Sequence, residues 1–462
     1  MYFRTLLAAA AATALVAPSL AQDAPHQKQA REIYAKVIGF RTAEGQKQVP
    51  AMATYLADTL KAGGVPAGDI VTIPNGETVA MIVRVPGSDA AARPILFNAH
   101  MDIVDARPED WNRDPFTLVE EDGRFWGRGS HDNKAGVIAM VSTILRLKAA
   151  KAQPKRTLVF AFVGDEETSM ATTRLIAAHD WVKGAEFAIN TDAGGGGLSK
   201  DGKPQIYLVQ GAEKTYATFT LTATNPGGHS SRPRKDNAIY DLTRAIAKVE
   251  GLTFPVLSND LTRAYIGAVG GVLPGAAGQA MKAFSADPTN AQAIAAISTD
   301  PGFNGTIRTT CVTTMLEAGH AENALPQKAV AKVNCRIFPG VPVADVQKAL
   351  TDAVADPKIA IAVLNNPEAS PISEMRPDVM AAITKSIHKR QPGVPISPYL
   401  ESGGTDGKVY RIAGIPTFAT SGLFIYQDEM FAHGLNERIP VKSFYDGLEH
   451  IHDLAVDLGG VR

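Results

Sequence analysis

The sequence carries almost no net charge, few cysteines and no apolar stretch long enough to span a bilayer. Its 46 basic side chains nearly balance 47 acidic ones, giving a formal net charge of −1. Nothing in this balance indicates nucleic acid or an anionic membrane surface as a partner. The four glycines at 194–197 lack a following Lys-Ser/Thr pair, which excludes a phosphate-binding loop.

The composition is that of an ordinary globular protein, and the chain is long. The 462 residues are 45% hydrophobic and 20% charged, a composition that can fill sizeable cores. The length exceeds that of an ordinary single domain, so two or three domains are expected.

The N-terminal residues have the pattern of a signal peptide. Arg4 supplies the basic start, residues 6–17 form an apolar run, and Ser19-Leu20-Ala21 is a small-x-small cleavage site. The run is shorter than the ~20 residues of a spanning helix, and no cysteine follows the site, so a membrane or lipid anchor is not expected. We therefore predict that residues 1–21 are removed and that the mature protein is exported, to the periplasm or beyond, without a membrane attachment.

The two cysteines, Cys311 and Cys335, lie in two β-like runs at equal distances from Asn323. An antiparallel hairpin folded about Asn323 would place them opposite each other, and disulfides persist in exported proteins. The alternative is a pair of buried free thiols, and the sequence leaves both open.

The first half of the chain alternates strand-like and helix-like segments, which predicts an α/β domain with a mostly parallel sheet. Functional sites in such sheets gather at the carboxyl ends of strands, and several polar residues follow predicted strands: His100, Asp102, Glu166, Glu167 and Asp192. The predicted helices are 27–62 with a short break, 134–150 and 172–179, and the predicted strands are 79–85, 95–98, 125–126, 157–163 and 187–190.

The pattern changes near residue 211 and returns near residue 371. Between them the order is β-α-β-β-α-β, which is typical of a ferredoxin-like unit, interrupted by an Ala-, Gly- and Pro-rich insertion. We therefore predict a lid or dimerisation domain inserted into the α/β domain. The predicted boundaries are 22–210 for the first part of the catalytic domain, 211–370 for the lid with its insertion at 252–305, and 371–462 for the second part.

Two histidines and a set of carboxylates in this arrangement suggest a metal site. Imidazole and carboxylate ligands suit Zn²⁺, and two zinc ions would nearly balance three carboxylates and one hydroxide. Asp132, central in sequence and held in the Gly-rich turn GRGSHD, is the natural bridge between two ions. One glutamate of the adjacent pair 166–167 can ligate while the other takes a proton from water. The predicted ligands are His100, Asp132, Glu167, Asp192 and His433.

Each of these residues also has a structural interpretation when it is taken singly. A lone histidine is usually packed or on the surface, Asp132 could cap a helix, and Asp192 could open a turn. The metal prediction rests on their joint occurrence at predicted strand ends. His131 and His320 fit no position in the pattern and are not expected to ligate.

The motifs in order resemble the co-catalytic zinc aminopeptidase-like hydrolases, the family that includes carnosinase, glutamate carboxypeptidase, acetylornithine deacetylase and aminoacylase. The resemblance spans the whole mature chain and implies two Zn²⁺ per subunit, replaceable by Co²⁺ or Mn²⁺. It implies His100 and Asp192 on one ion, Glu167 and His433 on the other, Asp132 on both, Glu166 as general base and Asp102 behind His100. The matching motifs are AHMDIV, WNRDPF, GRGSHDNKAG, GDEE, TDAG, GGHSS, CRIFPG, GGTD and AHGLNE.

The same resemblance implies residues on the substrate side. His229 would reach the active site of a partner protomer in a homodimer and stabilise the oxyanion. Asn323 and Arg336 would lie around the substrate's carboxylate, and Gly404 and Thr405 would offer backbone N–H groups and a hydroxyl. The structural alternatives are a loop histidine for His229 and an ion pair for Arg336.

The leading functional prediction is an exported zinc exopeptidase that acts on dipeptides or on a C-terminal residue. Export favours a scavenging peptidase, because biosynthetic deacylation is cytosolic. The alternative within enzymes is an N-acyl-amino-acid deacylase. A non-catalytic peptide-binding relative would require the loss of Glu166 or of a ligand, and the sequence retains them all.

Overall fold

A computed structural model describes residues 24–461. The predicted signal peptide, residues 1–21, lies outside the described residues. Across residues 24–461, no helix has both the length and the apolar character that crossing a membrane requires.

The first part of the chain, up to residue 213, builds most of the larger domain. Its strands contain continuous apolar runs such as LVFAFV, in which all six side chains are buried, as expected for strands covered on both faces. The elements are α1 (Pro25–Ile38), α2 (Val49–Ala62), β1 (Ile70–Asn75), β2 (Thr78–Val85), β3 (Ile95–His100), β4 (Val119–Glu121), β5 (Arg124–Trp126), α3 (Lys134–Ala149), β6 (Leu158–Val163), α4 (Ala171–Ala177), β7 (Phe187–Asn190), β8 (Gly195–Leu198) and β9 (Pro204–Glu213).

The middle part builds the lid and its insertion. Its strands alternate buried and exposed side chains, as in a sheet with one covered face. The elements are β10 (Thr215–Thr224), β11 (Gly228–His229), α5 (Ala238–Glu250), α6 (Asp260–Val272), α7 (Gly275–Ala286), α8 (Ala291–Ile297), α9 (Pro301–Thr306), β12 (Thr310–Ala318), β13 (Ala324–Leu325), β14 (Lys328–Ile337), α10 (Val343–Val354) and β15 (Ile359–Leu364).

The last part, from residue 377 onwards, returns to the larger domain and completes its sheet. Its final helix has an amphipathic pattern and packs on α3 and α11. The elements are α11 (Pro377–Arg390), β16 (Ile396–Glu401), α12 (Gly407–Ile412), β17 (Thr417–Ala419), β18 (Phe424–Tyr426), β19 (Arg438–Pro440) and α13 (Val441–Gly459).

The larger domain is a ten-stranded sheet with helices on both faces. The strand order is β1-β2-β6-β3-β7-β17-β9-β8-β18, with β16 beside β9. Strands β6, β3, β7 and β17 run parallel, so their carboxyl ends meet at one edge. Helices α1, α2, α3, α11 and α13 cover one face, and α4 and α12 cover the other. The predicted α/β class is confirmed.

The lid is a four-stranded antiparallel sheet, ordered β12-β14-β10-β15. Helices α5 and α10 pack on one face of it around a separate apolar core. Cys311 lies opposite Cys335 in the β12–β14 pairing, and the two form a disulfide. The hairpin pairing expected from the sequence is therefore confirmed, and of the two alternatives that the sequence left open, the structure has the disulfide and not the free thiols.

The insertion forms helices α6 to α9. Helix α6 packs on β9 and β16 of the larger sheet, where Leu261 shares a small core with Ala212, Phe338 and Leu400. Since Phe338 directly follows β14, the insertion contacts both domains at their junction.

Candidate metal centre

The predicted metal ligands lie together at the carboxyl edge of the large sheet. His100 ends β3, Glu166 and Glu167 follow β6, and Asp192 follows β7. Because β6, β3 and β7 are neighbouring parallel strands, their ends deliver these side chains to one place. Asp132 comes from the loop before α3, and His433 comes from the loop between β18 and β19.

Asp132 lies between the two histidines. Its Oδ1 is 2.8 Å from His100 Nε2, and its Oδ2 is 3.0 Å from His433 Nε2. His100 Nε2 is also 3.1 Å from Asp192 Oδ1, and His433 Nε2 is 3.0 Å from Glu167 Oε1. The side chains thus form two triads that share one carboxylate.

The donor set fits two metal ions. In each triad the candidate ligand atoms lie within 4.8 Å of one another, and imidazole nitrogens with carboxylate oxygens are ligands that Zn²⁺ accepts. Glu166 forms a third such group with His100 and Glu167. Its Oε1 is buried and has no hydrogen-bond partner among residues 24–461. Because this oxygen is unpartnered and lies next to the two candidate ion positions, Glu166 is placed to accept a proton from a water molecule there.

The pKa values of Asp192 and His433 are both raised, so each of these candidate ligands holds a proton more readily than it would in water. Burial raises the pKa of Asp192 to about 8, with the charges of Asp132 and Asp406 adding to the effect. Hydrogen bonds to Asp132 and Glu167 raise the pKa of His433 to about 10. Protons and metal ions compete for the same ligand atoms, so a bound metal ion would take the place of these protons.

Glu166 and Asp132 differ in their environments. Burial, followed by the neighbouring charge of Asp192, holds the pKa of Glu166 well above its ordinary value. Burial also acts to raise the pKa of Asp132, but hydrogen bonds to His100 and His433 outweigh it and lower that pKa. The two carboxyl groups are therefore suited to different tasks, proton transfer and charge sharing.

Asp102 lies behind His100, where the sequence analysis expected it. His100 Nδ1 is 3.1 Å from the Asp102 carbonyl oxygen and 3.6 Å from its Oδ1. The carboxylate also accepts the backbone N–H groups of Glu166 at 3.2 Å and Glu167 at 3.0 Å. Asp102 therefore orients the imidazole and fixes the two glutamates, a second role that the sequence analysis missed.

Glu437 is a further supporting residue that the sequence analysis missed, although it ends the AHGLNE motif. It is fully buried, and its carboxylate accepts the N–H groups of Gly129, His131 and Asp132. Arg128 donates to it at 2.8 Å and to the carbonyl of Gly434 at 3.0 Å. The Arg128–Glu437 pair therefore joins the loop that carries Asp132 to the loop that carries His433.

In the GGTD segment, Thr405 and Asp406 are buried, whereas Gly404 is exposed. Asp406 is buried, and it accepts hydrogen bonds from Asn98 and Thr173, a structural role. The Thr405 hydroxyl donates to Glu213 at 2.9 Å. Gly404 is exposed, and Arg336 of the lid donates to the Ser402 carbonyl at 3.4 Å. This loop thus lies between the metal centre and the lid.

His229 and Asn323 lie together on the lid and away from this centre. His229 pairs with Ala324 in the short β11–β13 ribbon, and Ser230 N–H donates to the Asn323 carbonyl at 3.0 Å. Both residues are exposed. Among the described residues, the partners of the His229 ring belong to Ser231 and not to the metal cluster. His131 and His320 belong to none of the candidate metal groups in residues 24–461.

Comparison with known proteins places the chain in a family. The model for the peptidase family M20/M25/M40 matches residues 96–457. The chain belongs to this family. This confirms the resemblance drawn from the motifs, and the protein is an M20 metallohydrolase.

Individual relatives differ in their named activities. The human N-fatty-acyl-amino acid synthase/hydrolase PM20D1 is 29% identical over 396 residues, which cover 82% of this chain and 76% of that protein. The probable carboxypeptidase S-like 2 of Dictyostelium discoideum is 25% identical over 389 residues, covering 79% and 72%. The fold matches that of the M20 metallo-carboxypeptidase Sso-CP2 of Sulfolobus solfataricus with a TM-score of 0.71 and 18% identity, covering 93% of this chain and 99% of that one.

Proposed function

We propose that this M20 metallohydrolase is an exported, zinc-dependent exopeptidase that cleaves the amide bond next to a free carboxylate, in dipeptides or at peptide C-termini. The observation that carries the proposal is the position of Asp132, with one oxygen towards each histidine and the unpartnered Glu166 oxygen close by. The Cys311–Cys335 disulfide supports export, because disulfides persist outside the cytosol.

In this proposal His100 and Asp192 hold one ion, Glu167 and His433 hold the other, and Asp132 contacts both. The bound ions would polarise the substrate carbonyl and lower the pKa of the attacking water. Glu166 takes the proton of that water, because it lies buried beside the ligands with one carboxylate oxygen unpartnered among residues 24–461, the position that a general base needs. The same carboxyl group then returns the proton to the leaving amine, which completes hydrolysis.

Recognition of the free carboxylate is assigned to the lid and the GGTD segment. The Arg336 guanidinium stacks 4.8 Å from the Tyr216 ring centre and lies against the Ser402 carbonyl, so it is held at the edge of the site. A guanidinium fork suits a carboxylate. Asn323, Gly404 and Thr405 belong to the same proposed subsite.

The second candidate is hydrolysis of N-acyl amino acids, and the similarity to human PM20D1 favours it. Its substrates would present the same amide and the same free carboxylate, but an apolar acyl chain would replace the peptide side. Met430 and Leu435, on either side of His433, are 68% and 51% exposed. Exposed apolar side chains on this loop would suit such a chain better than a polar peptide.

We also propose a homodimer formed through the lid, in which His229 acts at the site of the second copy. The β12 strand is an edge of the lid sheet, and its Val312, Met315 and Leu316 side chains are 58–63% exposed. An edge with exposed apolar side chains is a common association surface. His229 itself is exposed on the lid, where a second copy could bring another metal centre to it.

A matched substrate panel tests the catalytic proposal. Zinc-loaded protein is given dipeptides, N-fatty-acyl amino acids and the C-terminal amides of both, and release of the free amino acid or amine is measured. We expect cleavage only where the carboxylate is free, and the faster class decides between the two candidates. Glu166→Gln should retain its zinc and lose about 10²–10⁴-fold in kcat. Full activity in this variant would contradict the assignment of the base.

A mixing experiment tests the shared site. His229→Ala and His433→Ala subunits should each be inactive, and mixed dimers should regain part of the activity, because one of their two sites is intact. Mixtures that stay inactive despite verified subunit exchange would count against a histidine supplied in trans.

A further inference from the structure

A buried ion pair lies where the chain passes from the large sheet into the lid. Glu213 is the last residue of β9, and Arg411 lies in α12. Arg411 Nη2 is 2.6 Å from Glu213 Oε2, and the side chains are 1% and 0% exposed. An isolated buried ion pair is seldom a net source of stability, because both charges lose their hydration. Its other partners therefore indicate what it does.

The Glu213 carboxylate binds the GGTD segment through Thr405. Thr405 donates its backbone N–H to Oε1 at 3.2 Å and its hydroxyl to Oε2 at 2.9 Å. The following residue, Asp406, is tied to Asn98, two positions before His100. Ser402, in the preceding turn, accepts from Arg336 of the lid. Residues 402–406 are thus hydrogen-bonded to strand β3, to the Glu213–Arg411 pair and to the lid.

The same ion pair contacts both crossings between the domains. The outgoing chain runs from Glu213 to Thr215, and the returning chain passes through Ser370. Arg411 Nη2 lies 3.5 Å from Ser370 Oγ, and Ser370 N–H donates to Thr215 Oγ1 at 3.0 Å. A change in the angle between the domains must move these two segments, and the pair that touches them also holds Thr405.

We propose that Glu213 and Arg411 are positioning residues that couple the orientation of the lid to the placement of the 402–406 loop. Through this coupling they set the preference for a substrate with a free carboxylate. The inference rests on the proposed function, since it takes this loop as part of the carboxylate subsite. It adds that recognition depends on a buried pair that does not itself contact the substrate.

The test measures a ratio that a general loss of stability would not change. For each variant, kcat/KM is determined for a substrate with a free carboxylate and for its C-terminal amide, and bound zinc and the unfolding midpoint are recorded. Arg411→Met and Glu213→Gln should each lower the ratio about tenfold or more, mainly through a higher KM for the free acid. Zinc content should stay at the wild-type level, and Arg411→Lys should restore part of the ratio.

Arg390→Met is the matched control, because it removes a partly buried ion pair with Asp453 that joins α11 to α13 and includes neither of the crossings between the domains. It should lower the unfolding midpoint without changing the ratio. If Arg411→Met does not fold, Glu213→Gln decides, since it removes the charge but keeps a side chain of the same size that can still accept from Thr405. A wild-type preference that survives in every folded variant would overturn the coupling alone. The absence of a preference in the wild type would overturn carboxylate recognition, and the coupling with it.

Discussion

Replacing Glu437 by glutamine should weaken both metal positions at once, although Glu437 ligates neither. Its two carboxylate oxygens accept four hydrogen bonds, from the N–H groups of Gly129, His131 and Asp132 and from Arg128. The amide of glutamine has only one oxygen. The amide nitrogen of glutamine would face two N–H donors, and it cannot accept a hydrogen bond from either. Arg128 would also lose the negative charge that balances its own.

The size of the effect follows from burial. The side chains of Arg128 and Glu437 are 3% and 1% exposed, so water cannot replace the lost partner. Removing one partner of a buried ion pair costs about 3–5 kcal/mol, a large part of the ~5–15 kcal/mol that typically stabilises a folded protein. The unfolding midpoint should fall by roughly 3–9 °C for a chain of this size. Because the pair holds the Asp132 and His433 loops together, the affinity for both ions should fall about 10–100-fold.

The assay combines thermal unfolding, followed by circular dichroism, with metal analysis after dialysis against graded zinc buffers. Glu449→Gln is the control, because this carboxylate pairs with Arg146 and His26 and has 27% of its side chain exposed, so water can replace the lost partners. It should cost no more than about 1 kcal/mol and leave the zinc content unchanged. A Glu437→Gln protein that unfolds within about 1 kcal/mol of the wild type and keeps two ions would refute the reasoning.

Two further predictions concern the shared ligand and the buried histidine of α13. Asp132→Asn should lose both zinc ions, whereas Asp192→Asn should keep one, since only Asp132 faces both histidines; one retained ion in Asp132→Asn would contradict the shared position. Burial lowers the pKa of His450 from 6.5 to about 3, so between these pH values the unfolded chain binds a proton that the folded chain does not. This contribution to stability is complete above pH 6.5 and is lost as the pH falls towards 3. Urea unfolding should therefore show the wild type losing about 3 kcal/mol more than His450→Gln between pH 7 and pH 4, and parallel losses would count against the buried neutral ring.

Local patterns in the sequence were sufficient to predict most elements near the site. The apolar run at 157–163 predicted β6, because a strand covered on both faces needs no polar alternation. The same reasoning placed His100 and Asp192 after strands, and the equal spacing about Asn323 placed Cys311 opposite Cys335, although it left open whether they form a disulfide. These predictions use only neighbours along the chain, and such neighbours determine secondary structure and the ends of strands.

Pairs of residues far apart in sequence were not predictable in this way. Glu213 and Arg411, like Arg128 and Glu437, carry no periodicity that links them, and each residue alone reads as a surface charge. The packing of the 252–305 insertion on β9 and β16 was missed for the same reason. Burial makes these pairs specific, and burial depends on which strands become neighbours in the sheet.

Asp132 shows most clearly what the sequence determined and what only the tertiary structure decided. Its sequence context, a glycine-framed turn before a helix, was enough to propose a shared ligand, but it was equally compatible with a helix cap. The structure begins the α3 helix after Asn133 and places the two Asp132 oxygens against histidines from opposite ends of the chain. The sequence determined which side chains were available at strand ends, because hydrophobic pattern and turn residues act locally. Only the tertiary structure decided which of them meet, because the order of strands in the sheet brings together residues more than three hundred positions apart.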